Sequence, residues 1–206
     1  MGTENLKFYL ASDSPRRKEI LSRTGFNFEV VGRNPFDEKE FSGLPPAEYA
    51  RALAVMKAKM AKIPPDAPPN AIVLGFDTIV YIDGEILGKP KDEREAQKYL
   101  KRLSGRWHTV YTGVGAVRVG DRKTASGVEA TRVLFSELTD EEIRAYVESG
   151  EPMDKAGAYG IQELGALLVK RVDGCFYNVV GLPLLCLTEV LKSFNIERVE
   201  LLRRKS

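Results

Sequence analysis

Long apolar runs, cysteine pairs and histidine are what this sequence of 206 residues has little of. No apolar stretch approaches the ~20 residues needed to cross a bilayer. The apolar part of the first residues is short and interrupted by charges, unlike a secretory signal. Cys175 and Cys186 lie 11 positions apart without a CxxC spacing, which indicates neither a zinc site nor a disulfide framework. We therefore expect a cytoplasmic protein that does not associate with membranes.

A strong excess of charge is also missing. The chain has 31 Lys+Arg against 29 Asp+Glu, a formal net charge of +2. Proteins that bind nucleic acid normally carry a clustered basic surface, so we expect no nucleic-acid partner. Hydrophobic residues make up 43% and charged residues 29%, as in ordinary globular proteins. The length suffices for one substantial core, and we expect a single domain over residues 1–206, built as two lobes.

Apolar segments and capped helices follow one another along the chain, which predicts an α/β protein with a mixed sheet. The pattern predicts strands at residues 7–11, 26–31, 71–76, 80–87 (a hairpin around Asp83-Gly84), 107–119, 123–138, 165–174 and 176–181. Helices are predicted after Ser14, after Pro45-Pro46 with an apolar row of Tyr49, Leu53, Met56 and Met60, after Asp92, after Thr139, and finally after Pro183.

Arg16 and Arg17 stand where a helix least favours them. Ser14 is a good N-cap and Pro15 a good first residue, so both arginines fall in the first turn, at the positive end of the helix dipole. Like charge there costs about 0.3–1 kcal/mol per residue. Either the side chains reach away into solvent, or they bind a polyanion at a helix N-terminus that follows a strand.

Acidic and basic candidates accompany these arginines. Asp77 directly follows the predicted strand at 71–76, where it is placed to hold a divalent cation or accept a proton, or else to form a local turn. Lys57 points either to solvent or into a polyanion site. Lys89 remains a possible phosphate ligand, although GEILGKP fails as a phosphate loop. With Glu38, these residues suggest a triphosphate held by cations, with Mg²⁺ or Mn²⁺ held by carboxylates.

Two further motifs give weaker indications. GVGAVR at residues 113–118 breaks the dinucleotide-binding fingerprint at its last glycine, so we expect no Rossmann cofactor site. His108 is the only histidine, and no nucleophile motif lies near it. We expect His108 to be structural or to face solvent, which excludes mechanisms that need two histidines.

Five segments together resemble the Maf family of nucleoside triphosphate pyrophosphatases. They are LASDSPRR, DTIVYIDGEILGKP, LSGRWHTVYTGV, EPMDKAGAYGIQ and GLP, in the family's order and spacing from Leu10 to Pro183. The resemblance implies an ITPase-like α/β fold, with an elongated mixed sheet, flanking helices and a cleft between two lobes. It also implies metal-dependent hydrolysis of nucleoside triphosphates to monophosphate and pyrophosphate, a role in control of the nucleotide pool, and a homodimer.

The resemblance assigns roles residue by residue. It implies Ser12, Arg16 and Arg17 as triphosphate-binding residues, Glu38 as the acidic metal residue, Lys57 as the helix lysine, Asp77 as the proton acceptor and a metal ligand, and Lys89 as the lysine of LGKP. Arg16, Thr78 and Gln162 match the base-selecting positions of the branch that prefers dTTP and UTP. Phe76 and Glu163 depart from the family, which usually has a small residue and a glycine there.

A different class of function is also compatible with these motifs. The family is associated with inhibition of septum formation, so the chain could sense a nucleotide without turning it over. The acidic residues Glu38 and Asp77 favour the enzyme, because binding alone needs no metal-holding carboxylates beside the phosphates.

Overall fold

A computed structural model of the chain, which describes residues 6–203, has an α/β architecture with a mixed sheet of seven strands. The strands are β1 (Phe8–Leu10), β2 (Phe28–Val30), β3 (Ile72–Ile82), β4 (Glu85–Leu87), β5 (Trp107–Arg118), β6 (Thr124–Phe135) and β7 (Val169–Asp173). Their order is β2-β1-β3-β5-β6-β7, and β4 pairs with β3. Strand β1 is parallel to β2 and β3, whereas the β3–β4 and β6–β7 pairs are antiparallel. The predicted fold class is confirmed.

Seven α-helices lie in the described part of the chain. They are α1 (Pro15–Arg23), α2 (Pro46–Lys59), α3 (Glu93–Leu103), α4 (Asp140–Glu148), α5 (Phe176–Val180), α6 (Leu184–Lys192) and α7 (Arg198–Leu202). The predicted caps are present, because the side chains of Ser14, Asp92 and Thr139 each accept a hydrogen bond from a backbone N–H of the first turn. Short 3-10 helices cover Glu38–Phe41, Glu151–Asp154, Ala156–Ala158 and Leu164–Leu168.

The predicted strand at residues 176–181 is wrong, because Phe176–Val180 is helical. Short apolar runs do not distinguish a strand from a buried helix. The buried Asn178 amide stabilises this helix by donating to the Val110 carbonyl at 3.0 Å and to Thr131 Oγ1 at 2.9 Å. The helix predicted after Pro183 is present, but α7 follows it, so it is not the last.

The chain divides into two compact units. The first comprises residues 6–77, 112–129 and 181–203 of the described chain. Its core includes Tyr9, Val31, Val73 and Val117. The buried residues of α2 are Leu53 and an alanine row (Ala50, Ala54, Ala58), not the predicted row with Met56 and Met60, which are only half-buried.

Helix α2 packs at backbone contact on the strands beneath it. A Cβ atom on Gly75 of β3 would lie 2.3 Å from the Ala54 carbonyl oxygen, and one on Gly113 of β5 would lie 2.1 Å from that of Ala50. Only glycine on the strands and alanine on the helix permit this approach. The approach fixes where every side chain of α2 meets the sheet.

The second unit comprises residues 78–111 and 130–180. Helices α3 and α4 and the last residues of β3 enclose its core, which includes Val80, Leu100, Val133, Phe135 and Ile143. His108 is buried in this unit, so of the two predicted alternatives the structural one holds. Within residues 6–203, no helix is both long and apolar enough to pass through a lipid bilayer.

Candidate active site

The start of α1 is capped by a serine and a proline. Ser14 is the N-cap and its Oγ accepts from the backbone N–H of Arg17, and Pro15 occupies the first helical position. The first turn contains no acidic residue. Arg16 and Arg17 therefore lie at the positive end of the helix, as predicted. A phosphate group at this end would meet the positive end of the helix dipole.

Arg17 braces the turn between β1 and α1. Its Nε donates to the carbonyl oxygen of Gly181 at 2.8 Å, and its Nη1 donates to Ser12 Oγ at 3.1 Å. The guanidinium carbon lies 5.6 Å from the ring centroid of Phe76. Burial lowers the pKa of Arg17 to about 10, against the opposing effect of the Asp77 charge, so the side chain stays charged at neutral pH.

Arg33 is a neighbour that the sequence reasoning missed. Its Nη1 donates to the carbonyl oxygen of Ala11 at 3.1 Å and lies 3.8 Å from the Asp13 carboxylate. Its charge also lowers the pKa of Arg17, so the two cations are close to each other. Its position in the sequence could have indicated it. Arg33 follows β2, which is parallel to β1, and the carboxyl ends of parallel strands lie at the same edge of a sheet.

Lys57, Glu38 and Asp77 form the charged centre of the first unit. The Lys57 ammonium contacts Asp77 Oδ1 and lies 3.5 Å from Glu38 Oε1. The Asp77 and Lys57 side chains are only 11% and 15% exposed, whereas that of Glu38 is 49% exposed. A nearly buried carboxylate needs such a partner. Of the three, Glu38 is therefore the side chain most accessible to solvent.

The close packing of α2 explains why these residues meet. Gly75 and Asp77 are two residues apart on β3, so both face α2. Because Ala54 of α2 contacts Gly75, Lys57, one helical turn further on, comes over Asp77. The sequence signal for this geometry was a glycine on the strand opposite alanines on the helix. On sequence alone, Gly75 was treated only as part of an apolar strand and Gly113 only as part of a possible dinucleotide motif.

The position predicted for Asp77, just after its strand, is wrong. Strand β3 continues to Ile82 because Ile79, Val80 and Ile82 are β-branched and buried. Asp77 nevertheless lies at the end of a strand, but the strand is the neighbouring β1. Leu10, the last residue of β1, pairs with Leu74, so Asp77 lies beyond the carboxyl end of the neighbouring strand.

Tyr49 is a second residue that the sequence reasoning placed only in an apolar row. Burial raises the pKa of its phenol, and the charges of Glu38 and Asp77 raise it further. Tyr49 therefore remains protonated at neutral pH and can donate a hydrogen bond.

The other predicted residues belong to the second unit. Thr78 follows Asp77 in β3 and is half-buried. Lys89 is exposed, two residues after β4. Gln162 is exposed in the bend that precedes the 3-10 helix Leu164–Leu168. The structure brings together Ser12 with Arg17, and Glu38 with Lys57 and Asp77; the assignment of Thr78, Lys89 and Gln162 to the same substrate stays a prediction.

The carboxylates of the first unit suit a hard divalent cation. Among residues 6–203, no group of three or more His, Cys, Asp or Glu side chains lies together. Protein Mg²⁺ sites that serve phosphates usually offer one or two carboxylates and complete the shell with phosphate oxygens and water. Glu38 and Asp77, which contact one ammonium group, supply this kind of donor set. They are the residues that would hold Mg²⁺ or Mn²⁺.

The protein is an α/β protein with a mixed sheet. Its candidate site contains a helix N-terminus, three arginines and a lysine between two carboxylates, a set of groups suited to binding a polyanion. Comparison with known proteins gives the family. The family model described as Maf-like protein matches residues 7–194, so the chain belongs to the Maf family.

Close relatives carry one name. A dTTP/UTP pyrophosphatase of Acetivibrio thermocellus is 46% identical over 195 residues, covering 93% of this chain and 96% of the relative. Proteins with the same name from Dictyoglomus turgidum and Bacillus velezensis are 45% and 47% identical, covering 90% and 93% of this chain and 94% and 98% of their own lengths.

Proposed function

We propose that this protein hydrolyses nucleoside triphosphates to the monophosphate and pyrophosphate, with dTTP and UTP preferred. The observation that carries the proposal is the Lys57 ammonium between Glu38 and Asp77, with Arg17 near enough for its pKa to respond to Asp77. The name dTTP/UTP pyrophosphatase, borne by relatives over most of the chain, supports the same reaction. The septum-related regulator without turnover is not favoured.

The reaction is an attack of water on the α-phosphorus. The bond between that phosphorus and the oxygen bridging to the β-phosphate breaks, and pyrophosphate leaves. Lys57 contacts Asp77 Oδ1, so Oδ2 is the oxygen that accepts the proton of the attacking water. A bound divalent cation would supply positive charge to the triphosphate oxygens. Arg16, Arg17 and Lys89 stabilise the charge that develops on the leaving group.

Base selection is assigned to Arg16, Thr78 and Gln162. A glutamine amide both donates and accepts, so it can pair with the N3–H and a neighbouring carbonyl oxygen of uracil or thymine. The test is kcat/KM for UTP, dTTP, CTP and GTP with the wild type and with Gln162→Glu. We expect the wild type to favour UTP and dTTP and the substitution to reduce that preference about ten- to a hundredfold. An unchanged ranking would remove Gln162 from base recognition.

The reaction itself is tested by its products. We expect monophosphate and pyrophosphate in equal amounts, and release of diphosphate with orthophosphate would contradict the assignment. Asp77→Asn and Glu38→Ala should each lower kcat by ~10²-fold or more while the protein stays folded. Glu40→Ala, in the same 3-10 helix, is the matched control and should retain activity. Near-normal turnover by Asp77→Asn at saturating Mg²⁺ would refute its role.

Three further assignments belong to this proposal. The two units act as one functional domain, and the protein is a homodimer, so its solution mass should be twice 22.9 kDa at micromolar concentration. Its location is the cytoplasm, because the sequence has only two cysteines and their spacing is not that of a disulfide framework.

A further inference from the structure

The loop that carries Gln162 is held by one carboxylate and one phenol. Glu151 Oε2 accepts from the backbone N–H of Leu164 at 2.9 Å, and its Oε1 accepts from the backbone N–H of Gly165 at 3.1 Å. The same Oε1 accepts from the hydroxyl of Tyr146 at 2.8 Å. The hydroxyl oxygen in turn accepts from the backbone N–H of Gly160 at 3.2 Å. These hydrogen bonds fix the backbone on both sides of Gln162.

Each member of the pair is itself held in place. Tyr146 lies on α4 and is buried in the core of the second unit, which fixes its ring. Burial raises the pKa of its phenol, so the hydroxyl keeps its proton and donates to the carboxylate. Glu151 begins a 3-10 helix whose backbone is tied down by the buried Lys155, which donates to the Glu151 carbonyl oxygen at 2.7 Å.

We infer that Glu151 and Tyr146 are positioning residues for base selection, because they hold the segment of residues 160–165 so that Gln162 meets the base in one orientation. This inference rests on the proposed function. An exposed glutamine on a loop would otherwise lose side-chain and backbone entropy when it binds, and preorganisation removes part of that loss. The Glu151 carboxylate accepts hydrogen bonds from two backbone N–H groups and one hydroxyl. Such charge-assisted hydrogen bonds are stronger than those between neutral groups, so the carboxylate can hold the loop in one conformation.

The test compares Glu151→Gln and Tyr146→Phe with Glu148→Gln, an exposed carboxylate at the end of α4. In Glu151→Gln one acceptor oxygen becomes an NH₂ group, so one of the backbone N–H groups loses its partner. We expect the ratio of kcat/KM for UTP over CTP to fall about tenfold in both variants, chiefly through KM for UTP, as for one weakened hydrogen bond. Glu148→Gln should keep the wild-type ratio.

A double-mutant cycle separates positioning from a general structural effect. In a Gln162→Ala background, Glu151→Gln should change the UTP-over-CTP ratio by less than about twofold, because its effect acts through the missing amide. Hydrogen exchange of residues 160–165 should be faster in both variants. Equal losses for UTP and CTP, or an undiminished effect without Gln162, would overturn the inference. Failure of both variants to fold would also overturn it, since the pair would then support the whole unit.

The test of the proposed reaction and the test of positioning by Glu151 and Tyr146 can fail separately. Absence of any turnover by the wild type would contradict the proposed function, and the dissociation constants of UTP and CTP would then replace kcat/KM in the same cycle. A UTP preference in binding that Glu151→Gln and Tyr146→Phe reduce would support positioning, and one that they leave unchanged would contradict it.

Discussion

His108 should make the protein sensitive to mild acid. The residue is 3% exposed, its Nε2 lies 2.7 Å from the Tyr159 hydroxyl oxygen, and the Phe135 ring contacts the imidazole edge-on. Its Nδ1 is buried and has no hydrogen-bond partner among the described residues. Burial lowers the pKa of His108 from 6.5 to about 4. The folded protein therefore holds a neutral imidazole that becomes protonated more readily in the unfolded chain.

The sign and size of the effect follow from this difference. Because the folded form binds the proton less well, the free energy of unfolding is highest above pH 6.5 and decreases as the pH falls towards 4. With these two pKa values the loss is about 2 kcal/mol at pH 5 and about 3 kcal/mol at pH 4. Exposed carboxylates with lowered pKa values, such as Asp83 and Asp140, lose their contribution only below their ordinary value of 3.8.

Urea unfolding followed by tryptophan fluorescence measures this effect, since the only tryptophan, Trp107, is adjacent to His108 in β5. We expect the wild type to lose about 2 kcal/mol of unfolding free energy between pH 7 and pH 5. His108→Phe keeps an aromatic ring beside Phe135 and Tyr159 but does not titrate. It should be less stable at pH 7 and nearly independent of pH over this range. Equal pH dependence in the two proteins would refute the reasoning.

Three further predictions concern the first unit. Gly113→Ala should destabilise the protein by about 1–3 kcal/mol or more in urea unfolding, because the added Cβ would clash with the backbone of α2. Gly88→Ala is the control and should cause no such loss, because the space around its Cβ is open. Lys57→Met should cost about 1–3 kcal/mol by leaving the buried Asp77 carboxylate without its ammonium, and adding Asp77→Asn should recover part of this loss. Lys59→Met, an exposed lysine of the same helix, is the control, and an equal loss there would contradict the argument. Chelation with EDTA should abolish turnover, reversibly with Mg²⁺ or Mn²⁺. The melting temperature should change little, because the buried Asp77 carboxylate keeps the Lys57 ammonium as its partner and Glu38 is half exposed to solvent. Full activity in EDTA would exclude a metal.

The sequence by itself determined the local features of this protein. The caps at Ser14, Asp92 and Thr139 and the hairpin turn at Asp83-Gly84, where both residues have positive φ, depend on interactions within a few residues. Motif order along the chain likewise sufficed for the family. Such features are readable because their physical causes lie within one short segment.

The tertiary structure decided what depends on contacts between distant segments. The run FYNVV is a helix because the buried Asn178 finds its partners on two strands. Asp77 sits within β3, yet beyond the end of β1, because the neighbouring strand is shorter. Lys57 meets Asp77 because glycine on β3 and alanine on α2 let two backbones touch, and no local pattern specifies that distance.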